Sequence, residues 1–231
     1  MRKLFIIVLL LFVTACASSR GFDRGTLRSQ ISDQKVVTEK DIQKTLALKP
    51  QLPDPFKLAI YFAPPKSDRW YWRVWNWRSE DKDMFLAVAN EAKSRGAISE
   101  AVIFSDDIVE GSDNRAIRMA AARVGADAVL IMRGTSDIDR YNNAWGYTYA
   151  LIVTPLFIPG TEADGIFMAN ASMWDVRNQF LYMTAEAEGT SHQTKPAAFI
   201  EEDRLIKAAK ADALAALKRE LSTRLMKLVS K

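Results

Sequence analysis

The chain has 231 residues, 48% hydrophobic and 26% charged, a balance that can bury a globular core and excludes a disordered or collagen-like protein. Its formal charge of +4 is too small to demand a nucleic-acid partner. A single cysteine and a single histidine exclude a disulfide framework and leave no thiolate or imidazole set for a metal centre.

The chain opens on Met1-Arg2-Lys3, continues through an apolar run over 4–13 and reaches Val13-Thr14-Ala15-Cys16. A positive start, a short apolar core and a small residue ahead of a cysteine form the pattern of a bacterial lipoprotein signal peptide over 1–15, cleaved before Cys16. Cys16 would then carry a diacylglyceryl group on its thiol and a further acyl chain on its freed amine. Each buried acyl CH₂ adds about 0.8 kcal/mol, so two or three chains hold where one would be marginal. The apolar run is too short for a transmembrane helix, which needs about twenty residues. Loss of Arg2 and Lys3 lowers the formal charge to +2, and a chain held outside the cytoplasm meets no nucleic acid. Ala17, rather than aspartate, behind Cys16 implies the periplasmic face of the outer membrane.

Residues 16–56 are polar and punctuated by Ser18, Ser19, Gly21, Gly25, Pro50, Pro53 and Pro55, the composition of a flexible tether. Within it Thr38 stands three residues before Asp41, ahead of Ile42, Leu46 and Leu48, which predicts one short capped helix. A single α/β domain is expected over 57–231. Its first strand is the apolar run 57–63, stopped by Pro64-Pro65. A helix capped by Ser79 follows, with Phe85, Val88, Ala89 and Ala92 on one face and Gly96 past its end. Residues 101–104 form a second strand. A second helix, capped by Ser112, presents Ile117, Ala120, Ala121 and Val124 and stops at Gly125. The third strand, 128–132, is apolar throughout, as expected where both faces are buried in a parallel sheet.

Beyond Gly134 the pattern changes. Residues 135–143 are polar and 145–158 strongly apolar, and the span 135–163 is expected as an insertion. The apolar run reads either as a segment packed in the core or as an exposed patch that meets membrane or a second subunit. Alternating segments at 166–176 and 180–188 predict a hairpin turning through Arg177-Asn178-Gln179, with Asn178 suited to the left-handed conformation. A long helix over 199–229, with Leu214, Leu217, Leu221, Leu225 and Leu228 as its stripe, closes the chain. The expected fold is one mixed sheet, strand-helix-strand-helix-strand followed by a hairpin, covered by helices.

The run 122–131, in which a helix ends at Gly125 before a buried strand, and the later hairpin 171–182 with its Asp175-Val176 pair resemble a pairing found in envelope lipoproteins. The layout is similar to the curli-secretion lipoprotein group and to the amino-terminal domain of the Tol-system beta-propeller protein, an anticodon-binding-domain-like arrangement. Adding Ile158-Pro159-Gly160 and the charged terminal helix, the chain resembles the rhombotarget lipoproteins over about 57–229. The resemblance implies a fold and an envelope compartment, and not an activity.

No catalytic constellation stands out. His192 lies in a polar stretch, expected as a surface loop, and no phosphate-cradling glycine motif occurs, so neither an enzyme nor a cofactor is expected. Asp106, Asp107, Glu110 and Asp113 crowd the approach to the second helix. They read as a solvated helix start rather than a calcium loop. The sharper candidate is Trp70, Tyr71, Trp72, Trp75 and Trp77, interleaved with Arg69, Arg73 and Arg78. Tryptophan and arginine together suit membrane interfaces and protein contact sites; the same indoles also suit a lid over one end of the core. These features imply a non-catalytic accessory or scaffold lipoprotein of the cell envelope, meeting an envelope protein partner. The alternatives are a subunit of a homo-oligomeric outer-membrane export apparatus and an envelope enzyme.

Overall fold

The computed structural model describes residues 18–32, 38–65, 75–150 and 156–229. The elements are α1 (Arg24–Ile31), α2 (Glu39–Leu46), β1 (Phe56–Phe62), α3 (Ser79–Ser94), β2 (Ile98–Phe104), α4 (Asn114–Arg123), β3 (Ala128–Asn142), β4 (Thr161–Asp175), β5 (Leu181–Lys195) and α5 (Glu202–Val229). The five strands form one mixed sheet in the order β2-β1-β3-β4-β5, parallel across β2-β1-β3 and antiparallel from there on. This is the α/β architecture expected, with its long C-terminal helix.

Alternation along the strands divides the side chains between two faces. One face joins Leu58, Ile60, Leu130, Met132, Phe167 and Met173 to the stripes of α3 and α5. The other joins Ala59, Tyr61, Val129 and Ile131 to Ile117, Ala120 and Ala121 of α4. Crossovers that put α3 and α4 on opposite faces are what right-handed connections require, because β2 lies on one side of β1 and β3 on the other.

Local signals place most helix ends. Gly96 and Gly125 take positive φ behind α3 and α4, and Thr38 and Asp41 exchange the reciprocal hydrogen bonds of a capping box. Two caps differ from expectation. Asp113, not Ser112, accepts from the Ala116 N–H at the start of α4. At α3 the carboxylate of Asp81 reaches back to the Arg78 N–H at 2.7 Å, while Ser79 is already helical. In the β4–β5 turn it is Gln179, not Asn178, that adopts positive φ. The buried carboxylate of Asp175 fixes that turn by accepting from the Arg177 and Asn178 N–H groups and from the Tyr182 hydroxyl at 2.6 Å. Burial and this bond push the Tyr182 phenol up to about 12, so it stays a donor.

The larger difference lies in strand length. Residues expected as a polar connection and insertion are strand: β3 and β4 pair without a break from Ala128↔Asp175 to Asn142↔Thr161, and β5 follows β4 to Lys195. The last β1–β3 pair is Phe62↔Met132, so ten residues of β3 run past the end of β1. This overhang contributes few apolar side chains, which is why its sequence reads as loop.

A long helix covers one face of the overhang. Helix α5 sits so close to β5 that a Cβ on Gly189 would stand 2.3 Å from the Ala209 carbonyl oxygen and 2.5 Å from the Ala213 nitrogen. Because these neighbours are helix backbone, Gly189→Ala must lift α5 off the sheet. A loss of roughly 1–3 kcal/mol or more is expected in denaturant unfolding.

Candidate functional site

Three places gather polar or aromatic groups. The first holds the described part of the tryptophan segment. Trp75 is 8% exposed and meets Phe167 edge-on at 4.8 Å, at a point where Gly134 leaves room for both rings. Trp77 packs at right angles to Trp75 and against Phe62, and its indole N–H donates to the Ala63 carbonyl at 2.7 Å. These two indoles form the lid over the core that was one of the two readings of the segment. Arg78 is exposed beside them. Arg69, Trp70, Trp72 and Arg73 lie outside the described residues, as does Cys16.

Lys210 of α5 is buried under this lid, its ammonium 5.7 Å from the Trp75 ring centre and 5.4 Å from that of Trp77. It donates to the Asn76 carbonyl and to the Asp81 carboxylate, the group that also caps α3. One ion pair with two aromatic faces thus joins α3, α5 and the tryptophan segment. Beside it opens a cavity of about 460 Å³ lined by Arg78, Glu80, Asp203 and Lys207 among others, with no serine, cysteine, histidine or tyrosine among the described residues of its wall. Lys210→Ala leaves Asp81 without its buried cation and is expected to cost about 3–5 kcal/mol in thermal or denaturant unfolding, with Lys210→Met recovering the stem's packing.

The second place is the crevice beyond the carboxyl ends of β1 and β2, where open α/β sheets commonly bind ligands. About 200 Å³ is enclosed by Tyr61, Pro64, Asp106, Ile117, Arg133 and Gly134, and α1 closes it with Gln30 and Ile31. Tyr61 donates to Asp106; burial first, then this bond, raises its phenol well above the usual range, so it acts as donor and not as base. The acidic residues nearby are engaged. Asp107 accepts from Ser105, Glu110 pairs with Arg123 at 2.9 Å, and Asp113 caps α4. Among the described residues no group of three or more histidine, cysteine or carboxylate side chains is arranged to hold a metal ion.

The third place was not foreseen. Residues 18–31, expected as part of the tether, form a strap docked on the overhang. Ser19 and the Gly21 N–H donate to the buried carboxylate of Asp139 at 2.5 and 2.9 Å, and Arg20 pairs with Asp137 at 2.9 Å. Farther along, Arg24 pairs with Glu188, Arg28 with Glu186, and Thr135 donates to Gln30. Leu27 and Ile31 bury themselves against Ile166 and Met168. The sequence signal was available: Leu27 and Ile31 stand four apart beside Arg24 and Arg28, one apolar and one basic stripe of a single helix. Nearer the hairpin end, His192 lies on β5 rather than in a loop. Its Nδ1 stands 2.7 Å from Asp164, which also accepts from the Tyr141 hydroxyl.

At that end the chain turns through a 3-10 segment, Ala144–Ala150, and an exposed tip with Trp145, Leu156 and Phe157. In the described part of the apolar run Trp145, Leu156 and Phe157 are exposed, while Gly146 is buried and Tyr149 and Ile158 are half-buried. No helix among the described residues is long and apolar enough to cross a membrane.

The Arg24 bond, and then its charge, hold Glu188 below the usual carboxylate range, with the Arg28 charge adding to the effect. A lowered folded pKa means the contribution is complete above the ordinary value of 4.5 and is lost as pH falls through the lowered one. Acidification below about pH 4.5 is therefore expected to loosen the strap, seen as faster hydrogen exchange around Arg24, and Glu188→Gln should reduce that local step while the contacts of Glu186, Asp137 and Asp139 remain.

No protein-family model matches the chain, and no curated protein does. Several solved structures are similar at low identity. A point variant of the PelC dodecamer from Paraburkholderia phytofirmans is 13% identical with a TM-score of 0.32, over 78% of this chain and 94% of that one. Protein XCC0632 from Xanthomonas campestris is 12% identical with a TM-score of 0.34, over 78% and 90%. Lipoprotein GNA1162 from Neisseria meningitidis is 13% identical with a TM-score of 0.30, over 71% and 96%.

Proposed function

We propose that this chain is a lipoprotein of the bacterial cell envelope, held through acylated Cys16 on the periplasmic face of the outer membrane. Its role is that of a non-catalytic accessory or scaffold in envelope assembly, secretion or maintenance. The observation that carries the reading is the strap: the signal-peptide pattern ends at Cys16, and Ser19, only three residues on, is already bonded to Asp139. The anchor is thereby joined directly to the folded domain, an arrangement suited to holding a domain at a surface. In the first cavity Lys210 and Asp81 are spent on each other and on the α3 cap, and in the second Asp106 accepts from Tyr61, pairings that support packing more readily than chemistry.

A second reading, a subunit of an oligomeric export apparatus, is supported by apolar side chains left open elsewhere, Ile42 and Leu46 on α2 and Met119 on α4. Mass measurement in detergent over a range of concentrations separates the two, a constant monomer removing the oligomer. For the anchor, the mature protein is expected to carry the mass of a diacylglyceryl cysteine and to partition with membranes. Cys16→Ser is expected to keep its leader and lose that mass. A mature wild-type chain without acyl mass would sink the reading.

A further inference from the structure

We infer that the far end of the β3–β4 hairpin is a membrane-contact surface, seated in the phospholipid bilayer that holds the Cys16 anchor. The inference rests on the lipoprotein reading above and adds to it the face by which the domain meets the lipid.

Four of the eight large hydrophobic side chains left exposed among the described residues gather here: Trp145 at 65%, Leu156 at 47%, Phe157 at 77% and Phe199 at 56%. Phe199 joins the other three because Lys195, at the end of β5, pairs with Thr161 at the start of β4, and the turn Ala197–Phe199 follows at once. Arg140 on β3 donates to the Ala197 carbonyl and ties that turn to the hairpin. The end is built rather than frayed. The Tyr149 hydroxyl accepts from the Gly160 N–H at 2.9 Å and donates to the Ile158 carbonyl at 3.0 Å. Gly160 lies so close to Gly146 that a Cβ there would stand 2.8 Å from the Gly146 nitrogen. An apolar group held in fixed geometry at the extremity of a domain is a contact surface in want of an apolar medium.

The direction of the strap says which medium. Gln30 meets β3 at Thr135 and Ser19 meets it at Asp139, so the strap runs antiparallel to β3 and, followed back toward Cys16, heads for Asn142 and the tip. From Asp139 to Asn142 is about 10 Å of strand. Cys16 stands three residues before Ser19, within at most about 11 Å of chain. Covalent geometry therefore lets the lipid anchor and the four apolar side chains reach one plane, and neither β1 nor β2 reaches that end. With acyl chains entering the bilayer beside it, the tip meets lipid before it meets anything else. An indole at headgroup depth with leucine and phenylalanine below it is the distribution that interfaces favour.

The test uses the full acylated chain in vesicles of phosphatidylethanolamine and phosphatidylglycerol. Cys16 is consumed by lipid, so Phe157→Cys, Phe199→Cys and, on α4, Met119→Cys each take a single environment-sensitive fluorophore. Emission from positions 157 and 199 is expected to move to the blue and to be quenched severalfold by nitroxides on the acyl chains, while position 119 stays aqueous. A Trp145→Ser, Leu156→Ser, Phe157→Ser variant of unchanged melting temperature is expected to lose the quenching at 199. Aqueous emission at 157 and 199 in a chain whose mass shows the acyl groups would overturn the inference and leave the anchor standing. Blue-shifted emission before vesicles are added would overturn it in favour of a second copy on this face. Absence of acyl mass removes the anchor reading and this inference together, and the mass spectrum tells that failure from the others.

Discussion

The overhang of β3, β4 and β5 beyond β1 is the constraint on which the rest of the structure depends. A three-stranded projection has two faces, and each must find a cover from elements distant in sequence. One face takes α5, whose 28 residues span about 42 Å against about 51 Å for a 15-residue strand. The other face takes α4 under the parallel strands and the last residues of β4, and the amino-terminal strap over the projection. The tip lies beyond both covers and stays open.

Buried charge is placed where these covers meet the sheet. Lys210 with Asp81 joins α5 to α3 beneath the indoles, and Asp139 receives the strap. Asp175 organises the turn at the opposite end, where Arg118 donates to its backbone carbonyl. Such groups are costly to bury unpaired, so each specifies one docking geometry rather than adding much net stability. The tryptophan segment illustrates the point. Trp75 and Trp77 enclose a cation from the terminal helix, and so help fix where α5 lies.

For function, the consequence is one of distance. A free tether of about forty residues would give the domain an r.m.s. reach of roughly 35 Å. A strap bonded from Ser19 onward would instead bring the domain to within a few residues of the proposed anchor at Cys16. In the proposed reading the protein works at the membrane surface with its hairpin end toward the lipid and the β4–β5 turn at the opposite end, while the crevice beyond the carboxyl ends of β1 and β2 opens on the hairpin side.

Much of this was legible in the sequence, wherever the information is local. The helix stops at Gly96 and Gly125, the Thr38–Asp41 box, the stripes of α3 and α5 and the apolar runs of β1 and the start of β3 depend on neighbours within a few residues, and the chain order then sets the topology. Of the site, the sequence alone marked Cys16, the tryptophans and the apolar run 145–158, without deciding which faced inward. Tertiary structure decided the rest. Polar residues 133–142 become strand only because β4 pairs with them, and Ser19 docks on the sheet through a carboxylate 120 positions away. Trp75 is buried because Gly134 and Phe167 lie beneath it, whereas Trp145 is exposed because the sheet ends before reaching any cover. Local sequence encodes what a segment can form; burial depends on which distant segment arrives to cover it, and that is settled only when the whole chain is packed.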